Sequence, residues 1–201
     1  MASGTDAKND AMAKLFGSPE RLRLLRLFFF NTKHLFTSEE VARRTKMSPR
    51  AASHEMRSLA DAGILRLLET SKNPKLRYTV EEKFRFFDTL REMLLDAPLR
   101  SMDIYKRVRG LGAVKFIGLG GIFVGDFEGH LDILVVGDKI DERKFKSVMR
   151  ELEGDIGREL RFAALATPDF LYRLTVSDRF IRDFVDFPHR ILFDKLGAGV
   201  K

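Results

Sequence analysis

Two closely spaced helix starts within residues 36–63 constrain the fold more than any other feature of the sequence. At the first start, the hydroxyl of Thr37 can accept from the backbone three residues on. Glu40 can reach back to the backbone N–H of Thr37, which completes a capping box. At the second start, Ser48 supplies a capping hydroxyl, and Pro49 suits the first helical position because no N–H is needed there. The sequence therefore predicts two short helices joined by a tight turn, the second ending near Gly63.

The second predicted helix sorts its residues by face. Ala52, Met56 and Leu59 recur at three- and four-residue spacing, so they are expected to pack inward. Polar and basic side chains occupy the other face, and these are Arg50, Ser53, His54 and Arg57. Such chemistry on one exposed face is typical of a recognition helix in a DNA major groove. The alternative is an ordinary amphipathic helix whose basic face is only solvated.

A predicted β-hairpin follows the helix pair. Residues 64–68 and 76–80 are β-prone, and the polar segment 70–75 between them contains Asn-Pro and two lysines. A hairpin directly after a helix pair indicates a winged helix-turn-helix, here over residues 11–80. The positions predicted to contact bases or phosphates of double-stranded DNA are Lys46, Ser48, Arg50, Ser53, His54, Arg57, Lys72, Lys75 and Arg77.

The distribution of charge favours a polyanionic partner for the first half of the chain. The net charge is +7, and residues 1–100 carry 19 Lys and Arg against 13 Asp and Glu, or +6, which leaves +1 for residues 101–201. Without cysteine, disulfides and thiolate zinc sites are excluded. The sequence has neither an apolar run of membrane-spanning length nor the apolar core of a signal peptide, so a cytoplasmic protein without membrane contact is expected.

The segments on either side of the predicted helix pair and hairpin have less specific sequence signals. Residues 1–10 are small and polar and are expected to be flexible, and a helix is predicted over residues 20–30. Residues 81–98 form a predicted linker or dimerisation segment, with a helix over residues 81–95. Its apolar stripe either covers the winged core or forms a dimer contact, and comprises Phe84, Phe87, Leu90 and Leu94, with Phe86 and Met93 beside it.

The second half of the chain, residues 99–197, has the pattern of a separate α/β domain. Residues 114–119 and 131–136 are continuous apolar runs, which is typical of strands buried on both faces. Further strands are predicted over residues 159–166 and 191–193, with helices between them. The predicted fold class is therefore α+β, an N-terminal winged helix-turn-helix followed by a small α/β domain with a mixed sheet.

The segment FIGLGGIFVGDFEGHLDILVVGD, residues 116–138, resembles the signature of the minimal nucleotidyltransferase family. That signature is a strand, a Gly-Ser turn, a loop, and Asp-x-Asp on the next strand. The resemblance extends over residues 112–196. It implies a turn that holds nucleotide phosphates and three carboxylates that hold two magnesium ions.

This chain departs from the signature at the positions that carry the chemistry. No serine stands at the Gly-Ser turn, His130 occupies the first carboxylate position, and the register of the later strand suggests Arg161 at the third. Asp132 retains the second position. One aspartate facing an arginine does not suit magnesium, so no metal, cofactor or catalytic residue is predicted. The residues that the resemblance assigns to a vestigial nucleotide site are Gly118, Gly120, Gly121, His130, Asp132 and Arg161.

The domain order also resembles a group of prokaryotic regulators whose winged half is similar to the arsenic-repressor and multiple-antibiotic-resistance-repressor types. This resemblance implies a homodimer. The leading hypothesis is a sequence-specific DNA-binding transcriptional regulator, whose degenerate second domain senses a nucleotide or binds a protein effector. The alternative is an active nucleotidyltransferase that transfers AMP or another nucleotide to a protein partner and docks through its winged domain.

Overall fold

The computed structural model describes residues 11–70, 73–96 and 101–198. Its contacts divide the chain into two compact units. The first comprises residues Met1–Pro98 and Gly154–Arg158, and the second comprises Leu99–Glu153 and Glu159–Lys201. The segment predicted to be flexible, residues 1–10, lies outside the described residues. Among those that are described, no helix has the length and apolar character needed to cross a membrane.

The first unit is a helix pair followed by a hairpin and a further helix. Residues 11–16 are helical. The elements that follow are α1 (Pro19–Phe29), α2 (Ser38–Thr45), α3 (Pro49–Asp61), β1 (Leu65–Thr70), β2 (Asn73–Val80) and α4 (Phe87–Asp96). Both predicted hydroxyl caps, at Thr37 and Ser48, are present, and Ser18 caps α1 in the same way. The Oγ atoms of Ser18 and Ser48 accept from the backbone three residues on, and Thr37 forms the reciprocal capping box with Glu40.

The hairpin has longer strands than the sequence predicted. β1 and β2 pair antiparallel from Leu65 with Val80 to Thr70 with Asn73, so the connection is residues 71 and 72 rather than the predicted segment 70–75. The strands extend because ladder hydrogen bonds satisfy the backbone, and an edge strand tolerates a proline. Phe36 joins this sheet as an isolated bridge, exchanging two 2.9 Å backbone hydrogen bonds with Tyr78.

The helix predicted from residue 81 begins at Phe87 instead. Residues 81–86 form turns, because the Glu81 side chain accepts from the Lys83 N–H at 3.1 Å and the Glu81 carbonyl accepts from Phe84 at 3.0 Å. Side-chain bonds to nearby backbone groups compete with helix formation in this way.

Part of the apolar stripe predicted within residues 84–94 covers the core of the first unit. Phe87 and Leu94 are buried, and the Phe87 ring stacks on that of Phe29 at 5.2 Å between centroids. The exposed apolar side chains are instead Phe86, 48% exposed, and Met93, 38% exposed. For the buried part of the stripe, the interpretation as a core cover is therefore correct.

The first unit includes residues 154–158, which were predicted to belong to the second domain. The buried Arg26 side chain donates from Nε to the Leu94 carbonyl at 3.2 Å and from Nη1 to the Asp155 carbonyl at 3.1 Å. Asn31 Nδ2 donates to the Gly157 carbonyl at 2.9 Å. Burial lowers the pKa of Arg26 to about 10, and the nearby Asp155 opposes that shift.

From residue 101 onward, helices alternate with the strands of one sheet. The elements are α5 (Ser101–Val108), β3 (Ala113–Leu119), a 3₁₀ turn (Gly121–Val124), β4 (Ile133–Asp138), α6 (Glu142–Ile156), β5 (Phe162–Leu165), α7 (Thr167–Thr175), α8 (Arg179–Val185) and β6 (Arg190–Asp194). The strand order is β5-β4-β3-β6. β4 and β5 are parallel and the other neighbours are antiparallel, so the predicted mixed sheet is confirmed.

β5 is shorter than the predicted strand over residues 159–166. Its first residues form bonds to side chains rather than a complete ladder: the Leu160 N–H donates to Glu153 and the Arg161 N–H donates to Asp132. One face of the sheet carries a buried apolar cluster formed with α7 and α8, and its members are Phe116, Leu131, Leu134, Val136, Phe170, Ile181 and Phe184.

Candidate nucleic-acid interface

The turn between α2 and α3 is short because a left-handed residue ends α2. Lys46 has φ 62°, and its backbone N–H donates to the Ala42 carbonyl. The Met47 N–H donates to the same carbonyl at 3.1 Å. Arg23 of α1 also supports this end, donating from Nε to the Thr45 carbonyl at 3.1 Å. The inward side chains are buried, and these are Val41, Ala42, Ala52, Met56 and Leu59.

The outward face of α3 is cationic. Arg50, His54 and Arg57 are exposed, and Ser53 is half-buried between this face and the core. The single carboxylate within residues 50–58 belongs to Glu55, which lies 3.4 Å from the Arg21 guanidinium of α1. The structure thus brings four of the predicted DNA-contact residues onto one helix and directs the only local carboxylate toward α1.

The start of α3 leaves one amide for a ligand. The Ser48 hydroxyl accepts from the Ala51 N–H at 3.2 Å, and the Ser48 carbonyl accepts from Ala52 at 2.9 Å. Pro49 has no N–H, so the Arg50 amide is the remaining backbone donor of the first turn. An exposed helix start of this kind can donate to a phosphate. Ser48 therefore caps the helix and also lies at the position predicted to face the DNA backbone.

The wing is described only in part. Arg77 is half-buried beside the capping box, its Nε atom has no hydrogen-bond partner in the described part of the chain, and its charge contributes to lowering the pKa of Glu40. The main cause of that low pKa is the hydrogen bond from the Thr37 backbone. Lys72 and the side chain of Lys75 lie outside the described residues. Their predicted contacts to DNA stay predictions.

The helix pair carries two further exposed cations that were not among the predicted DNA-contact residues. Arg43 and Arg44 are exposed in the last turn of α2, and the Arg44 guanidinium lies 5.6 Å from the centre of the Phe36 ring. Two consecutive arginines near the end of the predicted helix α2 were the sequence signal that could have identified them. They add two exposed cations to the helix pair.

The predicted vestigial nucleotide site is closed by protein groups. Asp132 is fully buried and its carboxylate accepts four hydrogen bonds from two residues. Oδ1 accepts from the Ile122 N–H at 2.9 Å and from Arg161 Nη2 at 3.2 Å. Oδ2 accepts from the Arg161 N–H at 2.8 Å and from Arg161 Nε at 3.1 Å. The carboxylate thereby joins the 3₁₀ turn to the start of β5.

The glycines of this region face other parts of the second unit. A Cβ atom on Gly118 would overlap the Phe184 ring, and one on Gly121, which has φ +49°, would overlap Asp132 Oδ1. A Cβ atom on Gly120 would lie 2.7 Å from the Leu131 carbonyl oxygen. These glycines are therefore required for close packing of protein against protein.

The residues present do not fit magnesium. Both Asp132 oxygens are engaged by N–H donors, and the Arg161 guanidinium lies where a cation would have to bind. His130 is exposed and its ring contacts that of Phe187 at 5.9 Å between centroids. Within the described ranges, no group of three or more His, Cys, Asp or Glu side chains could hold a metal ion.

Comparison with known proteins gives a match within the first unit only. The family model described as Helix-turn-helix domain matches residues 16–67, about a quarter of the chain, from α1 into β1. Neither the curated proteins nor the solved structures contain a match to the chain. The predicted helix-turn-helix is confirmed by this match, whereas the resemblance of the second unit to nucleotidyltransferases has no support from these comparisons.

Proposed function

We propose that the protein binds double-stranded DNA in a sequence-specific manner and regulates transcription. The observation that carries this proposal is the outward face of α3, where Arg50, His54 and Arg57 are exposed and the local carboxylate is directed toward α1. A helix with exposed donors fits the major groove, whose base edges present acceptors. The match to a helix-turn-helix domain over residues 16–67 supports the same proposal.

The test is selection of bound duplexes from a random pool at a stated salt concentration, followed by titration of the enriched duplex against a scrambled one. We expect an enriched motif, together with an affinity that falls linearly on a log–log plot as salt increases, because released counterions accompany each phosphate contact. A pool that gives no motif, with binding that salt does not weaken, would contradict the proposal.

For the second unit we propose a regulatory role, as a sensor or a protein-binding module, rather than nucleotidyl transfer. The four hydrogen bonds that the Asp132 carboxylate accepts support this, because a carboxylate held by a guanidinium is not available to a metal ion. Incubation with labelled ATP and magnesium tests the point. Label transferred to this chain or to a protein partner would favour the alternative enzymatic function.

A nucleotide-sensing role has its own test. A ligand that binds only the folded state at 100 times its dissociation constant adds about 2.7 kcal/mol to the free energy of unfolding. Thermal denaturation with a panel of nucleotides at millimolar concentration measures this. If no nucleotide raises the melting temperature, the sensing role is contradicted, and the proposal for the second unit is then protein binding.

A further inference from the structure

Within the proposed function, on which this inference rests, we infer that α3 reads two guanines. Arg50 reads one and Arg57 reads the other, and the two guanines lie no more than about three base pairs apart along the duplex axis. The target in each half-site is therefore a pair of closely spaced guanines, on the same strand or on opposite strands.

The position of the two arginines on the helix sets this spacing. Both belong to α3, which is helical from Pro49 to Asp61. Seven residues span about 10.5 Å at 1.5 Å per residue and come within about 20° of two full turns, so the two side chains leave the helix in nearly the same direction. Both side chains are exposed.

Two arginines of α1, next to the helix pair, are engaged within the protein, unlike Arg50 and Arg57. Arg21 pairs with Glu55 at 3.4 Å. Arg23 pairs with Glu20 at 2.8 Å and also donates to the Thr45 carbonyl. For Arg50 and Arg57, the described part of the chain contains no carboxylate within salt-bridge distance of either guanidinium. Their donors are available for a ligand.

The chemistry of an available guanidinium selects guanine. Its planar fork donates two parallel hydrogen bonds, and guanine presents two acceptors, N7 and O6, side by side in the major groove. Adenine offers one acceptor and one donor there, so it cannot accept both bonds. His54 lies between the two arginines, four residues after Arg50 and three before Arg57, and is exposed. A single imidazole forms fewer bonds, so the position between the guanines is expected to be less strictly specified.

The rise of B-DNA converts the helix distance into base pairs. Successive base pairs are about 3.4 Å apart on the duplex axis, so about 10.5 Å corresponds to about three steps if helix and duplex are parallel. An inclined recognition helix projects a shorter distance on that axis. Three base pairs is thus the upper limit when the two side chains extend in parallel from the helix.

The experiment selects duplexes with the full-length parent, with Arg50→Ala and with Arg57→Ala. Arg182→Ala is the matched control, because it removes one exposed arginine that lies outside the helix pair and pairs with Asp186. We expect the parent and the control to enrich the same motif with two guanines. Each interface variant should lose the preference at one guanine and retain it at the other.

Substitution of 7-deazaguanine then assigns each guanine to its arginine, since this base lacks the N7 acceptor. In the parent, the substitution removes one of the two hydrogen bonds, so it should weaken binding at either guanine by less than the roughly 5- to 150-fold expected for loss of the whole bidentate contact. In each variant, the same substitution should have little effect at the guanine whose arginine is gone. Melting curves show whether the variants fold; both positions are exposed, so we expect parent-like curves.

Two results would overturn the inference. If both variants lose affinity for all sequences alike and keep the parent's motif, the arginines contact phosphates only, and the proposed function survives. If the parent motif has no guanine pair within three base pairs, the spacing argument is wrong, and again the proposed function survives. Absence of any motif in the parent is the separate outcome that contradicts the proposed function itself.

Discussion

At the scale of single residues, the structure shows side chains that satisfy backbone amides at the ends of helices and strands. Thr37 and Glu40 each accept a hydrogen bond from the other's backbone, at 3.3 Å and 2.8 Å, and thereby satisfy two amides at the start of α2. The bond from the Thr37 N–H, together with the charges of His34 and Arg77, lowers the pKa of Glu40. The cap is therefore strongest when Glu40 is ionised.

The pH dependence of stability tests this cap. Glu40→Ala should lower the free energy of unfolding by about 1 kcal/mol at pH 7. Because the pKa of Glu40 is lower in the folded state, its contribution is complete above the unfolded-state value and is lost as pH falls through the folded-state value. Urea denaturation at pH 7 and near pH 3 measures the difference, which should shrink at the lower pH. Glu82→Ala, at an exposed position in the turn before α4, should show little difference at either pH.

In the second unit, Asp132 likewise accepts hydrogen bonds from backbone amides. Its removal should lower the free energy of unfolding more than the removal of Glu40 does. Asp132→Ala leaves the amides of Ile122 and Arg161 without their acceptor, and we expect a loss of roughly 2–5 kcal/mol in the free energy of unfolding. Arg161→Ala should cost less, because both backbone donors to the carboxylate remain. Chemical denaturation of the two variants measures the order. Parent-like stability of Asp132→Ala would contradict a structural role for this carboxylate.

At the scale of elements, the glycine-rich strand end and α8 are matched in shape. Phe184 of α8 occupies the space that a side chain at position 118 would need. Gly118→Ala should therefore lower the free energy of unfolding by about 1–3 kcal/mol through overpacking. Gly154→Ala is the control, because a Cβ atom there meets nothing within 4 Å.

A double-mutant cycle shows whether Phe184 is the cause. Combined with Phe184→Leu, Gly118→Ala should cost less than it does alone, with a coupling energy of about 0.5–3 kcal/mol. Additive losses in the free energy of unfolding would mean that the strain at Gly118 arises elsewhere, for example from the Phe116 ring, which is 3.0 Å from the added atom.

The hairpin wing is the second element whose predicted contact with DNA can be tested. If Lys75 contacts a phosphate, Lys75→Ala should weaken binding to all duplexes similarly and reduce the slope of log affinity against log salt by about one unit. Lys106→Ala removes the same charge from an exposed position on α5 and should leave the slope unchanged. A change in sequence preference with Lys75→Ala would instead indicate a base contact.

At the scale of the whole molecule, the proposed homodimer would present two copies of α3 to one duplex. A dimer would place them about 34 Å apart, one turn of the duplex. Phe86 and Met93 are the large exposed apolar side chains beside α4, and the Arg85 guanidinium covers one face of the Phe86 ring at 4.4 Å. We propose this surface as the contact between two copies.

Phe86→Glu should convert a dimer to a monomer, because it places a charge in an apolar contact. Sedimentation equilibrium measures the mass, and titration with a two-half-site duplex should show weaker binding. Tyr172→Glu is the control, since Tyr172 is 67% exposed on α7 of the second unit. A parent protein that sediments as a monomer would contradict the homodimer.

The sequence by itself determined the helix pair and its exposed cationic face. Caps at Thr37 and Ser48 act over three residues, and the periodicity that buries Ala52, Met56 and Leu59 exposes Arg50 and Arg57. These signals depend only on residues close together in the chain, so they predict local structure without knowledge of the fold. The apolar runs of β3 and β4 likewise predicted buried strands, although not their order in the sheet.

Only the tertiary structure decided where distant groups meet. Arg26 donates to the carbonyl of Asp155, 129 residues away, and Asn31 donates to the carbonyl of Gly157, 126 residues away. No local pattern marks such partners, because a hydrogen bond between remote segments depends on how the intervening elements pack. The start of α4 at Phe87 has the same origin in part, since the Glu81 N–H donates to Ile64, which precedes β1. Local hydrogen bonds can be predicted from spacing, whereas long-range ones exist only after the chain has folded.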